Sequence, residues 1–197
     1  MHRLLSLFLA ACGLQAVLSL HGAMDDVAAG TAVRLDIDQL VSESDLVFEG
    51  RVRSMRTIQP APGRLETEFE VVVERTFWGS DEPTRSFRLP GGVLPDGRGL
   101  MLPGMPSLLV GEDAILFLSS EGASGARMPV GLGQGKLGVL TTLQGQRSLS
   151  RQHSQLTFAD AKSGNLEHQG FEQRFDYAET VAEIWAAAAR RSREGGR

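Results

Sequence analysis

A single cysteine, Cys12, stands in a chain of 197 residues. An intramolecular disulfide and a cysteine-based zinc site are excluded, because each needs more than one thiol. Lysine is nearly missing too: Lys136 and Lys162 are the only ones, so arginine carries the positive charge. The net charge is −4 and the basic residues are scattered, which argues against nucleic acid as a partner. Aromatics make up 6% of the chain, too few for base-stacking platforms. Histidine is scarce, and only His153 and His168 lie beyond the N-terminal apolar segment. They cannot form the His-Glu-x-x-His pair of a zinc hydrolase. The acid pairs Asp25-Asp26, Asp36/Asp38 and Asp81-Glu82 lack the alternating oxygen ligands and central glycine of a calcium loop. No cofactor or metal is expected.

What the chain does have begins at its N-terminus. Arg3 leads into an uncharged apolar run from Leu4 to Leu20, then His21-Gly22-Ala23, before the first acids at Asp25 and Asp26. This order predicts a secretory signal peptide over residues 1–23, followed by a short linker over 24–34. The run is at the short limit for a bilayer span and is interrupted by Ser6, Gln15 and Ser19. Leu9-Ala10-Ala11-Cys12 resembles a lipobox, which makes acylation at Cys12 the alternative to simple cleavage near Ala23. Apolar residues continue past Cys12, where a lipoprotein turns polar, so simple export to the periplasm or the extracellular space is preferred.

Residues 35–197 have the length of one domain. Asp36 followed by Gln39 is a capping box, and Ile37, Leu40 and Val41 share a face, predicting a short helix. From Leu46 to Arg53 the chain alternates, with Leu46, Phe48, Gly50 and Val52 expected inside and Val47, Glu49, Arg51 and Arg53 in water. A turn at 59–63 leads into a second alternating strand through Thr67, Phe69, Val71 and Val73, and Arg85 to Leu89 reads as a third. Ala114-Ile115-Leu116-Phe117-Leu118 is an unbroken apolar run suited to a strand buried on both faces. Met128 to Leu132 and Leu137 to Thr142 are two more strand candidates, whereas 151–175 shows no periodicity and reads as a mobile loop. At the end, Asp176 and Glu179 cap a helix over 177–192. Its stripe of Tyr177, Val181, Ile184, Trp185 and Ala188 is expected to dock on the sheet, with Arg190, Arg191 and Arg193 favoured at its carboxyl end. The expected fold is mainly β: a small OB-like barrel or sandwich with a short N-terminal helix and a C-terminal amphipathic helix.

Two sequence patterns invite chemistry. Ser124 sits in the glycine turn Gly122-Ala123-Ser124-Gly125 and could serve a hydrolase with His153 or His168, but the glycine spacing departs from a nucleophile elbow. Gly133-Gln134-Gly135-Lys136-Leu137-Gly138 fits Gly-x-Gly-x-x-Gly literally. A strand pattern follows where a nucleotide fingerprint requires a helix, so these glycines read as close-packing positions.

Ser44 to Val52, Phe69 to Val73 ending at Trp78-Gly79, Leu89-Pro90-Gly91-Gly92, Val110 to Leu118 and Gly133 to Lys136 together resemble a family of exported bacterial proteins without an assigned activity. The resemblance implies export and a β-rich barrel, and brings no catalytic residues. Residues 45–118 are also similar, more weakly, to the OB-type barrel of netrin-like modules and metalloproteinase inhibitors. Those inhibitors use an N-terminal cysteine and disulfides that this chain lacks, so the likeness implies fold alone. The function expected is a non-catalytic exported binding module for a protein or envelope component, acting through the loops at 91–107 and 151–175. Leu100, Met101 and Met105, with Leu102, Leu108 and Leu109, place much apolar surface in a glycine-proline segment and are the candidate contacts. The alternatives are an extracytoplasmic hydrolase and a structural lipoprotein anchored through Cys12.

Overall fold

A computed structural model describes residues 30–152, 156–159, 166–167 and 172–195. Cys12 with the expected signal segment, and the candidate histidines His153 and His168, lie outside these residues. In chain order the elements begin with β1 (Gly30–Val33), α1 (Ile37–Glu43), β2 (Leu46–Ala61), β3 (Arg64–Trp78) and β4 (Thr84–Pro90). They continue with β5 (Gly92–Val93), β6 (Gly99–Leu100), β7 (Asp113–Leu118), a 3-10 turn (Leu132–Gly135), β8 (Lys136–Thr141) and β9 (Arg147–Gln152). The last are β10 (Leu156–Ala159), β11 (Leu166–Glu167), β12 (Glu172–Asp176) and α2 (Tyr177–Gly195). The protein is mainly β, as its alternating segments indicate. A seven-stranded antiparallel sheet runs in the order β12-β9-β8-β7-β2-β3-β4, beside small sheets β1-β10-β11 and β5-β6.

α1 forms for the local reason visible in its sequence. Asp36 Oδ1 accepts from the Gln39 amide at 2.8 Å, while Gln39 Oε1 accepts from the Asp36 amide at 3.0 Å, so two otherwise orphaned donors are satisfied. At α2, Asp176 Oδ1 likewise accepts from the Glu179 amide at 2.8 Å. The two helices pack together on one face of the sheet. Ile37, Leu40 and Val41 from α1 and Val181, Ile184, Ala187 and Ala188 from α2 meet Val47, Phe77, Ile115, Phe117, Leu137, Val139 and Leu149. A side chain as large as Ile184, without solvent exposure, contributes about 1.5–3 kcal/mol by leaving water. The arginines at the end of α2 also tie it to α1: Arg190 bonds Asp38, and Arg191 donates to the carbonyls of Val41 and Ser44 at the α1 carboxyl end. Trp185 reaches the Phe77 ring with centroids 5.0 Å apart but stays half exposed, on the edge of the helix contact.

The other face curls onto itself around Leu46, Phe48, Val52, Phe69, Val71, Phe87, Leu89, Ala114, Leu116 and Leu118. β7 therefore supplies both cores, Ile115 and Phe117 to one and Leu116 and Leu118 to the other, as an unbroken apolar run requires. Register shifts between Val47 and Phe48, Glu49 and Gly50, and Val52 and Ser54 bend the β2–β3 hairpin. Gly50 permits the close approach, since a Cβ there would lie 2.5 Å from the Val72 carbonyl oxygen.

The sheet is curved without closing into a barrel. Among the described residues β4 pairs only with β3, and β12 only with β9. Instead of a strand, the 119–130 loop bridges the gap: Val130 N–H bonds the Phe117 carbonyl, and Arg127 N–H bonds the Arg88 carbonyl on the free edge of β4. Three sequence expectations are corrected. Val47 and Glu49 are not in water, because helices cover the face they occupy. Met128 to Leu132 is no strand; Pro129 makes one bridge to Leu118 and the chain then turns into the 3-10 segment. The polar stretch 151–175 holds β10, β11 and most of β12, whose order comes from pairing of β10 with β1, β11 with β10 and β12 with β9 rather than from apolar periodicity.

Candidate functional site

The glycine-proline segment after β4 is anchored at both ends. Gly91 donates to the Leu65 carbonyl and its own carbonyl accepts from Thr67 Oγ1 at 2.8 Å. Gly92, at φ 135°, lies against the hydroxyls of Thr57 and Thr67, a place with no room for a side chain. The short β5–β6 hairpin then turns through Leu94 to Gly97 and returns, with Arg98 paired to Asp96 across the turn. Farther on, Lys136 Nζ donates to the Ser107 carbonyl and pairs with Glu112, while Gly111 N–H bonds the Val52 carbonyl. The segment is thus a pinned loop.

Pinning sorts its apolar side chains into two sets. Leu108 is buried at 4% exposure and Met105 packs half-buried against the curled core. Met101 is 76% exposed, and Val93, Leu109 and Val110 are also exposed; Leu100 and Leu102 lie between the two sets. Met55 on β2 is also exposed. Of the candidate contacts, Met101 is free to meet a partner, Leu100 is marginally exposed and Met105 mainly holds the loop down.

Ser124 has another occupation. Its hydroxyl accepts from the Ala126 amide at 3.2 Å, and its carbonyl accepts from Arg64 and Arg88 at 3.3 and 3.0 Å. The residue fastens a loop to β4. In the glycine-rich segment, Gly135 lies against the backbone of Val130, and β8 follows directly. Gln134, with no solvent exposure, accepts from the Leu35 amide at 2.8 Å and donates to the Val33 carbonyl at 2.9 Å. It ties the start of the domain to the sheet. Nothing in the sequence marked this glutamine apart from its glycine neighbours.

Sequence reading also missed three buried ionic sites. Glu49, fully buried on β2, is met by Arg147, by Arg75 at 3.1 Å and by the Tyr177 hydroxyl at 2.7 Å. Burial and that hydrogen bond push the Tyr177 phenol up to about 12. Glu66, 2% exposed, lies between Arg64 at 2.8 Å and Arg88 at 3.0 Å. Arg151 is buried over the Phe175 ring, and desolvation followed by the nearby Arg34 charge pulls its guanidinium down to about 10.

Pockets open on the sheet among the described residues. One, about 120 Å³, is lined by Ser107, Glu112, Lys136 and Ser150 and has room for several waters or a small molecule. Another, about 300 Å³, opens at the β4 side between Asp45, Ser80, Glu82, Arg85, Glu121 and Arg127. Among the described residues no three His, Cys, Asp or Glu side chains gather where they could hold a metal ion, and no helix is long and apolar enough to cross a membrane. Comparison with models of known protein families finds no match, and comparison with curated proteins finds none.

Proposed function

We propose that this chain is a non-catalytic exported binding module that contacts a protein or envelope component through the β5–β6 hairpin and the loop after it. The observation that supports the reading is the division of labour within one segment. Met105 and Leu108 face the core while Met101, Leu109 and Val110 stay in water on a backbone fixed by Thr67, Lys136 and Val52. A surface ordered in advance loses little conformational entropy on association, and flexible methionine adapts to a partner's shape. Export rests on the charge and hydropathy pattern of residues 1–23.

The test is cross-linking and affinity capture from the host envelope, with wild type beside M101S and M105S. A stoichiometric partner should be captured by wild type and lost with M101S, whose melting temperature should stay within about 1 °C of wild type because the side chain is already in water. M105S should lower stability by about 1–2 kcal/mol through loss of its partial burial. Equal capture by wild type and M101S would move the contact elsewhere.

A further inference from the structure

Arg85 is 95% removed from solvent in effect, with a relative exposure of 5%, and lies over the Phe48 ring at 5.3 Å in the curled core. Its Nε and Nη2 are sealed from solvent without a hydrogen-bond partner. Its Nη1 makes one long contact, 3.4 Å to Ser80 Oγ. The same serine hydroxyl donates to Glu82 Oε1 at 2.8 Å. Among the described residues neither Arg85 nor Glu82 has an ion-pair partner, and the Ser80 hydroxyl touches both. Both line the 300 Å³ pocket at the β4 side of the sheet.

The other charges there are committed. Arg127 donates to Asp45 at 2.8 Å, to Glu121 at 3.3 Å and to the Ser119 carbonyl at 2.7 Å. Among the described residues the pocket therefore offers one cation without an ion pair, deep, and one carboxylate without an ion pair, at the exposed rim. A simple anion would satisfy Arg85 but face three carboxylates, and a simple cation would leave the buried guanidinium unpaired at a cost. A small zwitterion satisfies both.

We propose that this pocket binds a free α-amino acid, its carboxylate on the Arg85 guanidinium and its ammonium on Glu82. Rotation about the terminal torsions of Arg85 lets Nη2 join Nη1 on the carboxylate, the two-point geometry that guanidinium favours. The Ser80 hydroxyl, displaced from between the charges, remains as a further donor. Leu46 and Phe87 supply an apolar wall for the ligand side chain. The volume is at the small end of ligand pockets, which suits a ligand of this size. The site lies at the opposite end of the β2–β3 hairpin from the Thr57–Thr67 anchor of the Met101 surface, so its fate is read separately from the proposed partner contact.

Isothermal titration calorimetry of the purified protein against each of the common free α-amino acids tests the site, with acetate and methylamine as ligands carrying one charge each. At least one amino acid should bind, neither single-charge ligand should match it, and R85M and E82Q should each weaken binding by roughly ten-fold or more, the worth of a hydrogen bond to a charged group. Glu82 is exposed, so E82Q carries the test without a folding penalty. Absence of heat with every amino acid overturns the proposal. So does acetate binding as tightly as the amino acid with no response to E82Q.

Discussion

Tyr177 Oη donates to Glu49 Oε2 at 2.7 Å, so the first residue of α2 is bonded to a carboxylate with no solvent exposure on β2. Arg147 and Arg75 supply the positive charge that makes this burial tolerable, and Arg147 also stacks over the Tyr177 ring at 4.2 Å. The helix is thereby docked by a polar clamp at its start as well as by its apolar face.

That clamp predicts a stability change at high pH. The phenol is held at about 12 in the folded protein, first by burial and then by Glu49, against about 10 in the unfolded chain. The folded state therefore keeps its proton more tightly. Its contribution is complete below about pH 10 and is lost as the pH rises through about 12. Tyr177 is the only tyrosine, so the phenolate absorbance of the native protein reports this one group directly. Urea unfolding at about pH 9 and about pH 11.5 should show a fall in wild type that Y177F lacks. A native phenol titrating near 10 would show that Glu49 and burial do not hold it.

Gln134 predicts a different kind of loss. Its amide satisfies the Leu35 N–H and the Val33 carbonyl at once, from a fully buried position. Gln134→Leu keeps the volume and removes both bonds, leaving polar backbone groups at the entry to α1 without partners. The expected cost is about 2–4 kcal/mol by denaturant midpoint. Hydrogen exchange of the Leu35 amide should rise well above that of the Leu40 amide, whose bond to the Asp36 carbonyl is untouched.

The contrast between Asp36 and Gln134 explains which parts of this fold sequence reading reaches. Asp36 and Gln39 satisfy each other three residues apart, β3 and β4 carry their apolar alternation locally, and β7 carries an unbroken apolar run. β9 does not: within Arg147–Gln152 only Leu149 is apolar, yet it is wholly buried because β8 and β12 flank the strand. Glu49 and Glu66 occupy strand positions where charge signals solvent; Glu49 is buried under the helix-covered face with Arg75 and Arg147 on it, and Glu66 is held between Arg64 of its own strand and Arg88 of the next. The same non-local logic placed Met105 inward and Met101 outward, a division invisible in a segment without periodicity. Arg85 stands in the third strand and Glu82 just before it, but their lack of ion-pair partners among the described residues is a property of the folded pocket.

Arg88 holds the place where a closed barrel would have another strand. Its Nη1 reaches Glu66 and its Nη2 reaches the Ser124 carbonyl, both at 3.0 Å, while its own carbonyl accepts from the Arg127 amide at 2.8 Å. One residue thus connects the free edge of β4, a buried acid and the 119–130 loop. Arg88→Met removes the two side-chain bonds, keeps the backbone bond and leaves Glu66 to Arg64 alone. Stability should fall by about 2–4 kcal/mol, the penalty of a buried carboxylate that has lost a partner. Adding Glu66→Leu should recover part of it, because the buried carboxylate and its desolvation cost are removed while Arg64, 43% exposed, keeps access to water. Exchange of the Arg127 amide separates docking from global stability: it should speed up in R88M and remain fast in the double variant, since E66L restores the core without restoring the loop contact. If that amide stays as protected as in wild type, the backbone bond to β4 alone would hold the loop, and the side chain of Arg88 would serve Glu66 only.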